Sequence, residues 1–219
     1  MTTGYRGAGT EPLPQPAHPL EYWLSLELSG VSPPEARSRL RDIAYARGAA
    51  MGAWAAGAGA GGVLIVLGIL LATRTDAPVL LASLGLPGAA LSVLCAGFYV
   101  RTRDRLPRTN RMLISRGPGN LRGALWFVVS VLAALVGLFA FTARPATWQD
   151  PSALLLLATV LAFVAGLLVA AVIIPATIMG RSRESLRRKA ADDPRFRALL
   201  EQDLATWRDP IGNAGYGPL

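Results

Sequence analysis

RTRDRLPRTNRMLISRGPGNLRG, residues Arg101–Gly123, sets Arg101, Arg103, Arg105, Arg108, Arg111, Arg116 and Arg122 against a single acid, Asp104. Apolar runs of membrane-spanning length lie on both sides of it, Val79–Val100 before and Ala124–Ala143 after. A short, strongly basic loop between two such runs marks the cytoplasmic side of a bilayer. That assignment orients the rest of the chain.

Working outward, two further apolar runs appear. Residues 49–72 form a first span, long enough to cross with some tilt, and 152–180 a fourth, longer than a bilayer requires. With 79–100 and 124–143 they predict an all-α integral membrane protein: a four-transmembrane-helix bundle of two helical hairpins over 49–180. The connections on the far side, Thr73–Ala77 and Arg144–Asp150, hold only Arg74 and Arg144 of the 22 basic residues. All the others fall on the near side, so both termini are expected in the cytoplasm.

Composition agrees. The 219 residues are 52% hydrophobic and 16% charged, with net charge +8 and mean hydropathy +0.39. A soluble domain is roughly 45–50% apolar and about 25% charged. The basic charge flanks spans, where insertion and anionic headgroups at the cytoplasmic face account for it, and this argues against a nucleic-acid partner. An almost exclusive use of Arg over Lys, with many small residues, suggests a GC-rich bacterial genome and hence a bacterial inner (plasma) membrane.

The ends of the chain carry the remaining features. Residues 1–19 are Gly, Pro and Thr rich and are expected to form a disordered cytoplasmic tail. Over 20–48 short cytoplasmic amphipathic helices are expected. One contains Tyr22 and Trp23; the other begins at Ser32 in the capping box Ser32-Pro33-Pro34-Glu35 and ends near Gly48. Residues 181–219 read as a basic tail with one amphipathic helix, opened by Asp193-Pro194 and carrying Phe196, Leu200 and Trp207 at helical spacing. Residues 211–219 read as loose. Trp23, Phe196, Leu200 and Trp207 are the candidate docking residues.

In the first span, Ala53, Gly57 and Gly61 recur every fourth residue. Small side chains let two backbones approach, a main source of helix association in lipid. These three are the candidate helix-packing residues. Pro87, beside Gly85, is expected to kink or interrupt the second span, and Asp76 and Asp150 to cap the second and fourth. Arg before and Gly after the same boundary (Arg47-Gly48, Arg122-Gly123) hint that the two hairpins are an internal repeat.

The chemistry is sparse. None of the four spans holds Asp, Glu, Lys, Arg or His, the residues that mark proton relays and coupling sites. Cys95 is the single cysteine and His18 the single histidine, so no disulfide, metal cluster, cofactor or Ser-His-Asp set is expected. Arg116–Asn120 (RGPGN) offers backbone amides to a phosphate, with no strand before it to support that use. The expectation is a non-catalytic accessory or structural subunit that contacts other membrane-protein subunits or itself. The alternative is a small self-associating transporter or pore lined by Ser83, Ser92, Ser130, Thr159 and Thr177.

Overall fold

A computed structural model describes residues 18–32, 38–107, 120–143, 148–208 and 215–219. It is all-helical, and the described residues contain no strand, only an isolated bridge between Ser38 and Gly215. Four helices are long and apolar enough to cross a membrane, with mean hydropathy of 2.2, 2.0, 2.5 and 2.9 in chain order. The protein is therefore a multi-pass membrane helix bundle.

Two short helices come first, α1 (Leu20–Leu24) and α2 (Leu26–Val31). Next comes α3 (Arg39–Thr75), 37 residues without a break. The capping box expected at Ser32 lies partly outside the described residues, and Ser32 itself closes α2, donating its N–H to Leu28. Ser38 takes the capping role instead: its Oγ accepts the Arg41 N–H at 3.2 Å. Nor does Gly48 end the helix. A mid-helix glycine costs only ~1 kcal/mol, and here a Cβ at Gly48 would sit 2.7 Å from Ser182 Cβ.

Asp76 stops α3 rather than starting the next helix. Its φ of 51° is left-handed, a geometry that Asp tolerates better than most residues. The residue preceding α4 (Pro78–Leu80) is Ala77, which makes no side-chain cap.

The second span continues from α4 through a π turn, Leu81–Gly85, into α5 (Leu86–Arg103). The fourth repeats the device: α7 (Pro151–Leu168), a π turn at Val169–Ile173, then α8 (Ile174–Gly180). Each π turn sits just before a proline, Pro87 or Pro175. A proline lacks an N–H and its ring collides with the carbonyl four residues earlier. Widening one turn absorbs both defects without breaking the helix. The third span is α6 (Leu121–Thr142), opened by Asn120, whose Oδ1 accepts the Gly123 N–H at 2.6 Å. Asp150 caps α7, accepting from the Ser152 N–H at 2.9 Å.

The chain divides into two compact units. One, Asp42–Arg188, contains the spans. The other combines Met1–Arg41 with Lys189–Leu219, and so draws on both ends of the sequence. In it α10 (Pro194–Thr206) begins at Asp193, and α9 (Ser182–Asp192) leads in from the spans. The pentapeptide Gly215–Leu219, expected to be loose, is pinned. Ser38 Oγ donates to the Pro218 carbonyl at 2.7 Å, the Leu219 N–H to the Trp23 carbonyl at 3.1 Å, and the Tyr216 hydroxyl to the Leu200 carbonyl at 3.2 Å. Gly217 has φ +61°, and a Cβ there would lie 2.6 Å from Ser38 Cβ, so the turn accepts only glycine.

Asp193 carries a pH dependence. Its carboxylate takes a hydrogen bond from Lys189 (2.8 Å) and the N–H groups of Phe196 and Arg195, which hold its pKa below the ordinary 3.8. A depressed folded value stabilises above the unfolded pKa and is lost as pH falls through the lower one. The thermal midpoint of the wild type should therefore exceed that of Asp193→Ala at neutral pH, and the gap should shrink below about pH 4. A gap independent of pH would contradict the charged cap.

Candidate functional site

At the crossing of α3 with the second span, glycines leave room for only a bare backbone. A Cβ at Gly61 would fall on the Gly88 carbonyl oxygen and the Ser92 Oγ, and within 2.9 Å of the Ser92 N–H. A Cβ at Gly57 would lie 2.5 Å from Cys95 Sγ and 3.4 Å from its Cβ. Ser92 Oγ closes the contact by donating across the interface to the Ala58 carbonyl at 3.0 Å. Further along α3, a Cβ at Gly68 would lie 3.2 Å from Leu84 and Gly85 of the first π turn. Trp54 stacks on Phe98 with ring centroids 4.7 Å apart. Ala53, the third member of the sequence pattern, is exposed and takes no part that the packing requires.

A second face of α3 meets the fourth span. A Cβ at Gly52 would lie 3.2 Å from Pro175, one at Gly59 3.1 Å from Ala170 and Ile174, and one at Gly166 3.1 Å from Val63. So α3 carries two glycine seams, one towards each π-turn helix. The partner seam Gly85, Gly88, Ser92, Cys95 was available in the sequence as a small-residue stripe at helical spacing, hidden by reading Gly85 and Pro87 only as breaks. Nothing comparable announces Ala170.

Alongside these contacts the two helices enclose an opening. The cleft between them has a volume of about 430 Å³ and is lined by Gly59, Gly62, Val63, Val66, Leu67 and Leu70 of α3 and Thr159, Ala162, Phe163 and Gly166 of α7. A shallower groove of about 260 Å³ lies along α6 at Arg122, Leu125, Trp126 and Val129.

Of the basic loop, Arg101, Arg103, Arg105 and Arg122 are exposed, whereas Arg108, Arg111 and Arg116 lie outside the described residues. Arg47, 3% exposed on α3, donates to the Arg103 carbonyl at 3.0 Å and so closes the C-terminal end of α5. Of Arg116–Asn120, residues 116–119 lie outside the described residues and Asn120 is engaged as the α6 cap.

The docking candidates separate. Phe196 and Leu200 are 1% and 0% exposed, and so form core rather than a docking face. The amphipathic pattern was legible; that its apolar face is already covered was not. Trp23 and Trp207 are half-buried. Beside Trp207, Arg39 forks onto Asp203 (Nε–Oδ2 3.1 Å, Nη2–Oδ1 2.9 Å) and lies 5.8 Å from the indole centroid. Burial, and next the Asp203 charge, push the Tyr216 phenol well above its ordinary pKa, so it stays a neutral donor. No group of three His, Cys, Asp or Glu that could hold a metal occurs among the described residues.

Comparison with protein-family models, curated proteins and solved structures finds no match for this chain.

The Gly61 crossing makes a differential prediction. Any Cβ at Gly61 meets backbone atoms, whereas one at Gly62 meets nothing within 4 Å. Gly61→Ala should cost roughly 1–3 kcal/mol of overpacking. Gly62→Ala should be neutral or gain up to ~1 kcal/mol of helix propensity. Thermal unfolding of the two variants in one detergent provides the comparison; equal midpoints would contradict the crossing.

Proposed function

We propose that the chain is a non-catalytic accessory or structural subunit of a larger complex in a bacterial inner membrane, threaded as two helical hairpins with both termini in the cytoplasm. The observation that carries this reading is the exposure of two apolar side chains of α2, Leu26 at 71% and Val31 at 88%. This helix lies outside the four spans, and an apolar pair there is a surface for a partner to cover. It replaces the α10 face as the docking element. The distribution of basic residues supports the orientation. Exposed Arg101, Arg103, Arg105 and Arg122 then suit the anionic headgroups of the cytoplasmic leaflet.

In-span hydroxyls weigh against the pore alternative. Ser83, Thr159 and Thr177 donate to Leu80, Leu155 and Ile174 carbonyls of their own helices, and Ser92 to Ala58. Hydroxyls whose donors are spent in this way have less to offer a hydrated path.

Purification in mild detergent with mass spectrometry tests the assignment. The wild type should retain a stoichiometric membrane-protein partner. Leu26→Glu combined with Val31→Glu should lose it while keeping the wild-type thermal midpoint. A wild type that runs alone, or a double variant that keeps the partner, would contradict the reading.

A further inference from the structure

The cleft between α3 and α7 is an apolar groove whose lining includes one hydroxyl, Thr159, and that hydroxyl is turned back onto the Leu155 carbonyl at 2.8 Å. It therefore offers a guest no polar partner along its length. At about 430 Å³ it falls within the ~300–1,000 Å³ range of small-molecule sites and has room for a single hydrocarbon chain. Its deep end is closed where Gly59 meets Ala170 and Val63 meets Gly166. Gly62 leaves the floor open, since a Cβ there would touch nothing within 4 Å.

At the other end the charge changes. The α3 lining residues Val63, Val66 and Leu70 form one stripe, and the next position on that stripe, one turn past Leu70, is Arg74. Arg74 is exposed in the last turn of α3, at the end of the helix away from Arg47 and its Arg103 contact. Of the carboxylates in the two connections at that end, Asp150 is engaged by the Ser152 N–H and Oγ, and Asp76 follows in the turn that ends α3. A cation one helical turn above a hydrocarbon-lined slot matches a lipid with an anionic head.

We propose that this groove holds one acyl chain of an anionic glycerophospholipid, its phosphate paired with Arg74. The lipid would belong to the leaflet opposite the basic loop, apart from any headgroups gathered by Arg101, Arg103, Arg105 and Arg122. It would complete the packing of α3 against the fourth span where the glycine seam ends. Whether the protein serves as a subunit of a complex does not bear on this site, which requires only that the four helices cross a bilayer.

The test uses the full-length protein in vesicles containing phosphatidylglycerol with a diazirine on one acyl chain, or phosphatidylcholine carrying the same chain. After illumination, adducts are mapped by peptide mass spectrometry. Phosphatidylglycerol should label residues 63–70 and 159–163 about fivefold more than phosphatidylcholine, equivalent to the ~1 kcal/mol of one interfacial basic residue. Arg74→Gln should abolish that difference. Gly62→Leu should suppress labelling by both lipids, and Ala162→Leu provides a second block from the opposite wall. Circular dichroism and thermal midpoints establish that each variant is folded. Equal labelling by the two lipids in the wild type would overturn the proposal, as would labelling that survives both blocks. Crosslinks from these segments to a second copy of the chain would assign the groove to self-association and overturn it too.

Discussion

Everything in the membrane-spanning unit depends on how closely α3 is approached. In lipid, apolar side chains gain nothing by leaving the solvent, so helices associate through dispersion and the occasional interhelical hydrogen bond. Gly61 supplies the first by leaving the space of a Cβ to the Gly88 carbonyl and the Ser92 backbone. Ser92 supplies the second, donating to Ala58. A single methyl group would occupy the space that both require.

The same helix is met on another face by the fourth span, through Gly52, Gly59 and Val63. The two partners share a construction, a π turn immediately before a proline, and both π turns contact α3: Gly85 against Gly68, and Ala170 against Gly59. Proline thus serves here as the cause of a local widening whose residues are presented to a neighbour. An apolar cleft lies between α3 and α7 from Gly59 and Gly166 onward.

The features legible in the sequence were those that act along the chain. The length of the apolar runs identified four spans, and Asp150-Pro151 and Asp193-Pro194 proved to be caps because capping is local chemistry. Gly57 and Gly61 could be selected by spacing, but the same spacing selected exposed Ala53, since a repeat of four says nothing about where a partner helix crosses. Ser32 and Gly48 misled for a related reason. A start signal is used only if the chain turns there, and a glycine ends a helix only if nothing is gained by continuing; Gly48 lies against Ser182. The role of Gly215–Leu219 depends on Ser38 and Trp23, some 180 positions or more away, and no local pattern foretells it. Phe196 and Leu200 were read as an open face because the residues that cover a face do not alter its periodicity.

The measurement closest to the central claim uses the native Cys95. Across the α3–α5 contact, a Cβ at position 57 would be 3.4 Å from Cys95 Cβ, at the short edge of the ~3.5–4.5 Å that a disulfide spans. Gly57→Cys should therefore form an intrachain disulfide with Cys95 under mild oxidation of the membrane-embedded protein, detected as a linked peptide pair by mass spectrometry. Gly62→Cys, one and a half turns away on another face, should not. An unlinked Gly57→Cys protein, or one linked only between chains, would contradict the packing of α3 against the second span of the same molecule.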